Sequence, residues 1–267
     1  MRETPRHVTR RAQPWLGTRV EISVRHHDLA TAHRAIDAGF AAIAHVHRAM
    51  SPQLVGSDVD RINCAALNEP VRVSPSTWQV LCVASDLHEG SDGLFDCAVR
   101  AGQANASQRD LELTRGHAVV KHRPLAIDLG GIAKGYAVDA ALAALRDTGV
   151  AGGCVNAGGD IAAFGDASFQ VDVRDPSAPD LRHRLVELKD FAVATSSIEA
   201  INALFAGPHA HEVDREAFDR GASICVLAPR CVLADALTKV VGLSGSTTHP
   251  LLGRCGASAI VLHSHRA

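Results

Sequence analysis

The stretch that most limits what this chain can become is residues 126–160, AIDLGGIAKGYAVDAALAALRDTGVAGGCVNAGGD. An apolar stub ends in an acid, Asp128, and a glycine pair follows. Lys134 then falls in the first turn of a predicted helix. In that helix Ile132, Tyr136, Ala140 and Ala144 recur every four residues, which predicts one buried face packed by small side chains. Lys134 lies off that stripe, and Gly149 ends the helix. A short apolar run leads into a second glycine turn, closed by Asp160. Glycines beside a helix start let a ligand approach backbone N–H groups where the helix dipole favours an anion. A lysine there adds a point charge suited to phosphate oxygens. The same residues also describe two ordinary tight turns of an α/β domain.

Composition narrows the classes of function. A net charge of −2 and a pI near 6.7 give no reason to expect nucleic acid or an anionic membrane as partner. The N-terminal arginines, Arg2, Arg6, Arg10 and Arg11, are not followed by the apolar run of a signal peptide, and no stretch is long enough for a membrane span. Seven scattered cysteines without a C-x-x-C pair behave as buried hydrophobes in a reducing compartment, so a cytoplasmic protein is expected.

Along the chain, residues 1–13 read as a flexible arm. Val20, Ile22 and Val24 then alternate as a half-buried strand. Asp28 caps a long helix with Ile36, Phe40, Ile43, Val46 and Met50 on one stripe. The histidines on it (His33, His45, His47) point to different sides, which argues against a metal site. Residues 51–63 read as a polar surface loop before a strand near Val71 and Val73. Ser76 caps a second helix that Gly90 ends. Asp96, between apolar neighbours, is either a turn residue or a group aimed at a site. A hairpin-like excursion is expected over 101–125, strands over 169–176 and 191–197, and a loop holding His209, His211 and Asp214 at 207–214. Pro229 cuts a further strand. In the helix after it, Leu233, Ala236, Leu237, Val240 and Val241 form the buried stripe. Asp235, Thr238 and Lys239 share a polar face at i, i+3 and i+4. That face is either a solvated ion pair or a carboxylate and hydroxyl suited to Mg²⁺.

DLGGIAKGYAVD (128–139) and VNAGGDIAAFG (155–165) together resemble the signature of the FAD:protein FMN transferases, the ApbE family. LGT (16–18) is similar to that family's M-G-T, SDVDRIN (57–63) to S-E-I-S-R-x-N, and GLFD (93–96) to G-x-F-D. AVATSS (192–197) resembles A-V-A-T-S-G. His211 and Asp214 match H-I-I-D-P, and ADAL (234–237) matches the late A-D-A-L helix. These motifs stand in the family's order from residue 14 to about 245.

The resemblance implies an α+β fold, T-fold-like, of mixed β-sheets flanked by helices in two packed lobes, with one ApbE-like domain over 14–267. It implies that FAD and Mg²⁺ bind between the lobes. FMN would pass from FAD to a threonine or serine hydroxyl of an acceptor protein carrying an S/T-G-A-S/T-like motif, releasing AMP. For the flavin substrate it implies Leu16, Gln53, Leu94, Phe95, Asp96, Asp128, Lys134, Gly158, Gly159 and His211. For Mg²⁺ it implies the Gly131 carbonyl, Asp235 and Thr238. His211, oriented by Asp214, would handle the proton of the acceptor hydroxyl. Hydrolysis of FAD to FMN and AMP, or flavin binding without turnover, would use the same site.

Three departures from the family pattern stand out. Lys239 occupies the position of the threonine in D-A-L-x-T, so either Thr238 reaches the metal or the ammonium lies where a cation is wanted. HEVDREAF (211–218) lacks the proline and glycine that follow the family's aspartate, and Gln53 stands roughly where the family has an aromatic residue. The lipoprotein signal of many family members is also missing. Ser244–Thr247 faintly resembles the acceptor motif but reads as an ordinary helix end.

Overall fold

In the computed structural model, residues 7–99, 106–165, 168–174, 182–204, 218–219 and 221–263 are described. The first third of the chain forms β1 (His7–Trp15), β2 (Thr18–His26), α1 (Leu29–Met50), α2 (Asp58–Cys64), β3 (Val71–Arg72) and α3 (Pro75–Gly90). The middle forms β4 (Ala98–Val99), β5 (Leu111–Thr114), β6 (Ala118–Lys121), β7 (Ala126–Ile127), α4 (Ala133–Asp147), β8 (Gly152–Ala157) and β9 (Asp160–Gly165). The remainder forms β10 (Phe169–Arg174), β11 (Arg182–Leu188), β12 (Phe191–Ser197), α5 (Ile198–Leu204), β13 (Ser223–Ala228), α6 (Cys231–Ser244), α7 (Pro250–Arg254) and β14 (Ser258–Leu262).

Seven strands make the main sheet in the order β1-β2-β8-β9-β12-β13-β14. Its pairings among the described residues are all antiparallel. Three helices line up across one face, α1 over β2, α4 over β8 and β9, and α6 over β12 and β13. The β10–β11 hairpin covers part of the other face, where Phe169, Val171 and Leu188 meet Ile161, Ala163 and Val193. Strand β9 is therefore buried on both sides, which explains its continuous apolar run after Asp160. The short sheets β3-β6-β5 and β4-β7, with α2 and α3, complete this α+β arrangement. No helix among the described residues is long and apolar enough to cross a membrane.

Several expectations need correction. Residues 7–13 are not an arm but most of β1, the edge strand paired with β2 from His7↔His26 to Trp15↔Thr18. Its alternation is faint because an edge strand packs little of its surface. The supposed loop 51–63 contains α2, whose N-cap Ser57 accepts from Asp60 N–H at 3.0 Å. Its Asp58 is buried and accepts from Ser74 N–H and Thr77 Oγ1. Helix α3 is capped by Ser74 rather than Ser76, with Pro75 in the first turn, where its missing N–H costs nothing. In α4 the buried face is Ala137, Val138, Ala141, Leu142 and Leu145, while Tyr136, Ala140 and Ala144 are half-exposed beside it. The hairpin expected within 101–125 is present as β5–β6.

Candidate functional site

Two tight hairpin turns lie side by side at one end of the main sheet. Leu16 and Gly17 join β1 to β2 with φ of 55° and 71°, and Gly158 and Gly159 join β8 to β9 with φ of 65° and 107°. Positive φ at both central residues gives the turn twist that matches antiparallel strands, and glycine adopts it freely. Because β2 pairs with β8 at Val20↔Ala157, the two turns touch. A Cβ on Gly158 would stand 2.5 Å from Thr18 Oγ1, and one on Gly159 would stand 3.7 Å from the Thr195 carbonyl of β12. The sheet register thus gathers Leu16, Gly158 and Gly159 into one corner.

Behind that corner sits a buried cluster of four charges. Asp160, the first residue of β9, and Asp235 of α6 are both fully buried. Lys134, at the start of α4, donates to Asp160 Oδ2 and lies 3.9 Å from Asp235 Oδ1. Lys239 Nζ donates to Asp235 Oδ1, to the Asp235 carbonyl at 2.8 Å and to Ser196 Oγ at 3.3 Å. Thr238 Oγ1 donates to the Asp235 carbonyl at 2.7 Å and lies 2.9 Å from Ser196 Oγ. Burial raises the Asp160 carboxyl, and the neighbouring Asp235 charge adds to the effect; together they outweigh the lysines and bring it to about 6. Burial also works against charge on Asp235, but the ammoniums of Lys239 and Lys134 override it and hold that carboxyl below its usual range. For Lys134, burial is likewise overridden, here by Asp235 and Asp160, and its ammonium is held above the ordinary lysine range. Asp160 Oδ1 has no hydrogen-bond partner among the described residues.

The cluster depends on how closely α4 and α6 cross. A Cβ on Gly135 would lie 2.3 Å from the Cys231 carbonyl oxygen, so only glycine admits this approach. At the crossing Gly135 N–H donates to Asp235 Oδ2 at 2.9 Å. Four residues on, Asp139 accepts from Cys231 N–H at 2.8 Å and Val232 N–H at 3.0 Å. It caps α6 from a neighbouring helix, because Arg230 supplies no side-chain cap of its own. Upstream, Asp128 Oδ1 accepts from Gly130 N–H at 2.7 Å and so fixes the first glycine turn, leaving Gly130 exposed. Asn63 clips the strand before it, accepting from Ile127 N–H at 2.8 Å and donating to the Ile127 carbonyl at 3.0 Å.

The other expected residues divide clearly. Asp96 spends its carboxylate on Ala98 N–H, Gln108 N–H and Ser107 Oγ, so it braces its own loop. Asp128 N–H donates to the Cys97 carbonyl at 2.9 Å, which sets the 94–96 segment beside the first glycine turn. Phe95 is a core side chain, while Leu94 is half-buried. Gln53 is exposed on the segment after α1, its Oε1 accepting from Ser51. Gly131 is buried at the turn before α4. His211 and Asp214 lie outside the described residues. Gly135, Asp139, Asn63 and Ser196 were not singled out in the sequence. The close crossing could have been suspected only from Gly135 standing one residue after Lys134 inside a helix, where glycine costs about 1 kcal/mol against alanine unless packing demands it.

The ApbE family model matches residues 16–254. The chain belongs to the ApbE family. Its fold is also that of solved ApbE structures. The apo flavinyl transferase ApbE of Pseudomonas stutzeri matches with a TM-score of 0.75 at 19% identity, over 97% of this chain and 92% of that one. The ApbE protein of Thermotoga maritima gives 0.78 at 22% identity, covering 96% and 94%. The flavin transferase ApbE of Vibrio cholerae gives 0.74 at 21%, again covering 96% and 94%. No curated protein matches the sequence.

In this ApbE chain a cavity of about 660 Å³ opens along the β1–β2 hairpin, lined by Pro14, Trp15, Leu16, Thr18 and His47 among others. Its size and apolar walls suit a ring system, and Thr18 links it to the Gly158 turn. Magnesium fits less well. It demands near-octahedral oxygen ligands at about 2.0–2.1 Å, yet both carboxylate oxygens and the carbonyl of Asp235 already accept protein hydrogen bonds. Among the described residues no group of three or more acids, histidines or cysteines could hold a metal ion.

Proposed function

We propose that this ApbE protein is a flavin transferase that moves FMN from FAD onto a threonine or serine hydroxyl of an acceptor protein. The observation that carries the proposal is Lys134. It stands at a helix start between two glycine turns, held by two buried carboxylates, with 31% of its side chain still exposed. In the reaction the acceptor oxygen bonds to the FMN phosphorus, the P–O bond to the AMP half breaks, and AMP leaves with the bridging oxygen. The hydroxyl proton passes to a base. Negative charge grows on the phosphate oxygens of the departing AMP, and a prepositioned cation lowers that barrier. Lys134 at the start of α4 supplies the cation, and Leu16 with the half-buried Leu94 covers apolar rings. By resemblance His211, oriented by Asp214, takes the proton. Mg²⁺ is left out, because the oxygens of Asp235 are already engaged. The seven unpaired cysteines favour action in the cytoplasm.

The experiment is a mass measurement on a peptide bearing an S/T-G-A-S/T motif, incubated with the protein and FAD. The expected outcome is a peptide heavier by one FMN unit with matching AMP release, and loss of both in Lys134→Ala. Release of AMP without a peptide adduct would instead identify a hydrolase. Retained flavin with neither product would identify a binding protein, and either result would overturn the proposal.

A further inference from the structure

Lys239 converges with three oxygens from two elements at one buried point. Its ammonium carries three N–H donors, and three acceptors meet it: Asp235 Oδ1, the Asp235 carbonyl and Ser196 Oγ. Its side chain is 5% exposed and that of Asp235 is fully buried. Thr238 Oγ1 faces the same point, bonded to the Asp235 carbonyl and to Ser196 Oγ. Such a ring of carboxylate, carbonyl and hydroxyl oxygens is the donor set that a hard divalent cation selects. Here it closes around a tethered monovalent cation instead.

Charge counting leads to the same place. Asp160 and Asp235 bring two negative charges, and Lys134 and Lys239 bring two positive ones. The buried cluster is neutral as it stands. A divalent ion added at Asp235 would leave a surplus of two charges beside the buried Asp235 and Lys239, where unpaired charge is costly. To reach Asp235 Oδ1 it would also have to expel the Lys239 ammonium, whose side chain is only 5% exposed. Moving the ammonium would strip Asp235 of a partner and leave Lys239 itself buried without an anion.

We infer that the Lys239 ammonium takes the place of a divalent cation in this protein, which therefore binds no metal at Asp235. Lys239 neutralises and orients Asp235, and Asp235 in turn holds Gly135 and steadies Lys134, the cation that faces outward. Its consequence for catalysis, a diphosphate met by lysine alone, rests on the flavin-transfer proposal. Its claim about metal does not.

Mn²⁺, an oxygen-seeking divalent probe, tests the claim without any flavin. Electron paramagnetic resonance of free Mn²⁺ is followed as the full-length protein is titrated in, with thermal unfolding measured in parallel. The wild type is expected to take up no Mn²⁺ and to keep one Tm with and without it. Lys239→Thr replaces the ammonium with a hydroxyl and frees Asp235 Oδ1. It is expected to bind one Mn²⁺ per chain and to recover Tm on its addition. Uptake by the wild type that disappears in Asp235→Ala would overturn the inference, as would a folded Lys239→Thr that ignores Mn²⁺. If Lys239→Thr fails to fold without metal, the wild-type titration alone decides. Transfer of FMN at an undiminished rate in a chelator is the matching activity result, and absence of transfer altogether bears on the proposed function only.

Discussion

Replacing Gly135 with alanine should unseat the whole cluster, and the size of the effect can be worked out from the α4–α6 crossing. An added Cβ would sit 2.3 Å from the Cys231 carbonyl oxygen, 2.7 Å from the Cys231 carbonyl carbon and 2.7 Å from Asp235 Cβ. Two of these are backbone atoms of α6 and cannot rotate away, so the helices must part. Overpacking of this kind costs about 1–3 kcal/mol. Parting the helices also lengthens the 2.9 Å bond from Gly135 N–H to the buried Asp235 carboxylate. A hydrogen bond to a charged group contributes about 1.5–3 kcal/mol. Against this, alanine gains about 1 kcal/mol of helix propensity over glycine. The clash and the weakened bond win, for a net destabilisation of about 1.5–5 kcal/mol. At about 2–4 °C per kcal/mol for a chain of this size, Tm should fall by about 3–20 °C. Gly253→Ala is the control, because it lies in α7 with nothing within 4 Å of a Cβ, so the helix-propensity gain should leave it as stable as wild type or up to about 1 kcal/mol more stable. Thermal and urea unfolding of both variants give the comparison. A Gly135→Ala protein as stable as wild type would refute the close crossing and, with it, the route by which Asp235 is held.

Two further outcomes follow from neighbouring residues. Asp139→Ala removes the only side-chain cap that α6 receives among the described residues and should cost about 1–2 kcal/mol in urea unfolding; an unchanged midpoint would mean that α6 needs no cap from α4. Asp160 carries a folded-state pKa of about 6 against an ordinary 3.8, so the folded protein holds its proton more tightly than the unfolded chain. Its contribution is then most favourable below 3.8, declines as pH rises through 6, and is flat above that. The stability difference between wild type and Asp160→Asn should therefore drift toward the variant from pH 5 to about 7, and a constant difference would show that Asp160 is ionised throughout.

Much of the fold could be read from periodicity, because the relevant residues stand close together in the chain. The alternation of Val20, Ile22 and Val24, the stripe from Ile36 to Met50 and the glycine pairs at 130–131 and 158–159 each declare a local geometry. Periodicity misleads where burial is weak or where composition imitates something else. β1 packs too little surface to alternate, and polar α2 hides a buried Asp58 that only its partners in α3 explain. In α4 the four-residue repeat of Tyr136, Ala140 and Ala144 suggested the wrong face, because small residues pack on any side of a helix that neighbours α1 and α6 closely.

The candidate site was legible as chemistry but not as environment. Asp235, Thr238 and Lys239 share a helix face at i, i+3 and i+4, and that spacing is identical for a solvated ion pair worth a few tenths of a kcal/mol and for a buried site. What separates the two is the cover, and it arrives from far along the chain. Ser196 lies 43 residues before Lys239, and Gly135 lies 100 residues before Asp235. Once β12 and α4 close over that face, the pair can no longer be a surface ornament, since water is not there to solvate either charge. A fully buried carboxylate must be matched charge for charge. The chain does this with two lysines whose side chains differ sixfold in exposure, 31% for Lys134 and 5% for Lys239. That asymmetry assigns their tasks: the deeper ammonium is spent on holding Asp235, and the shallower one retains the freedom to meet an incoming anion.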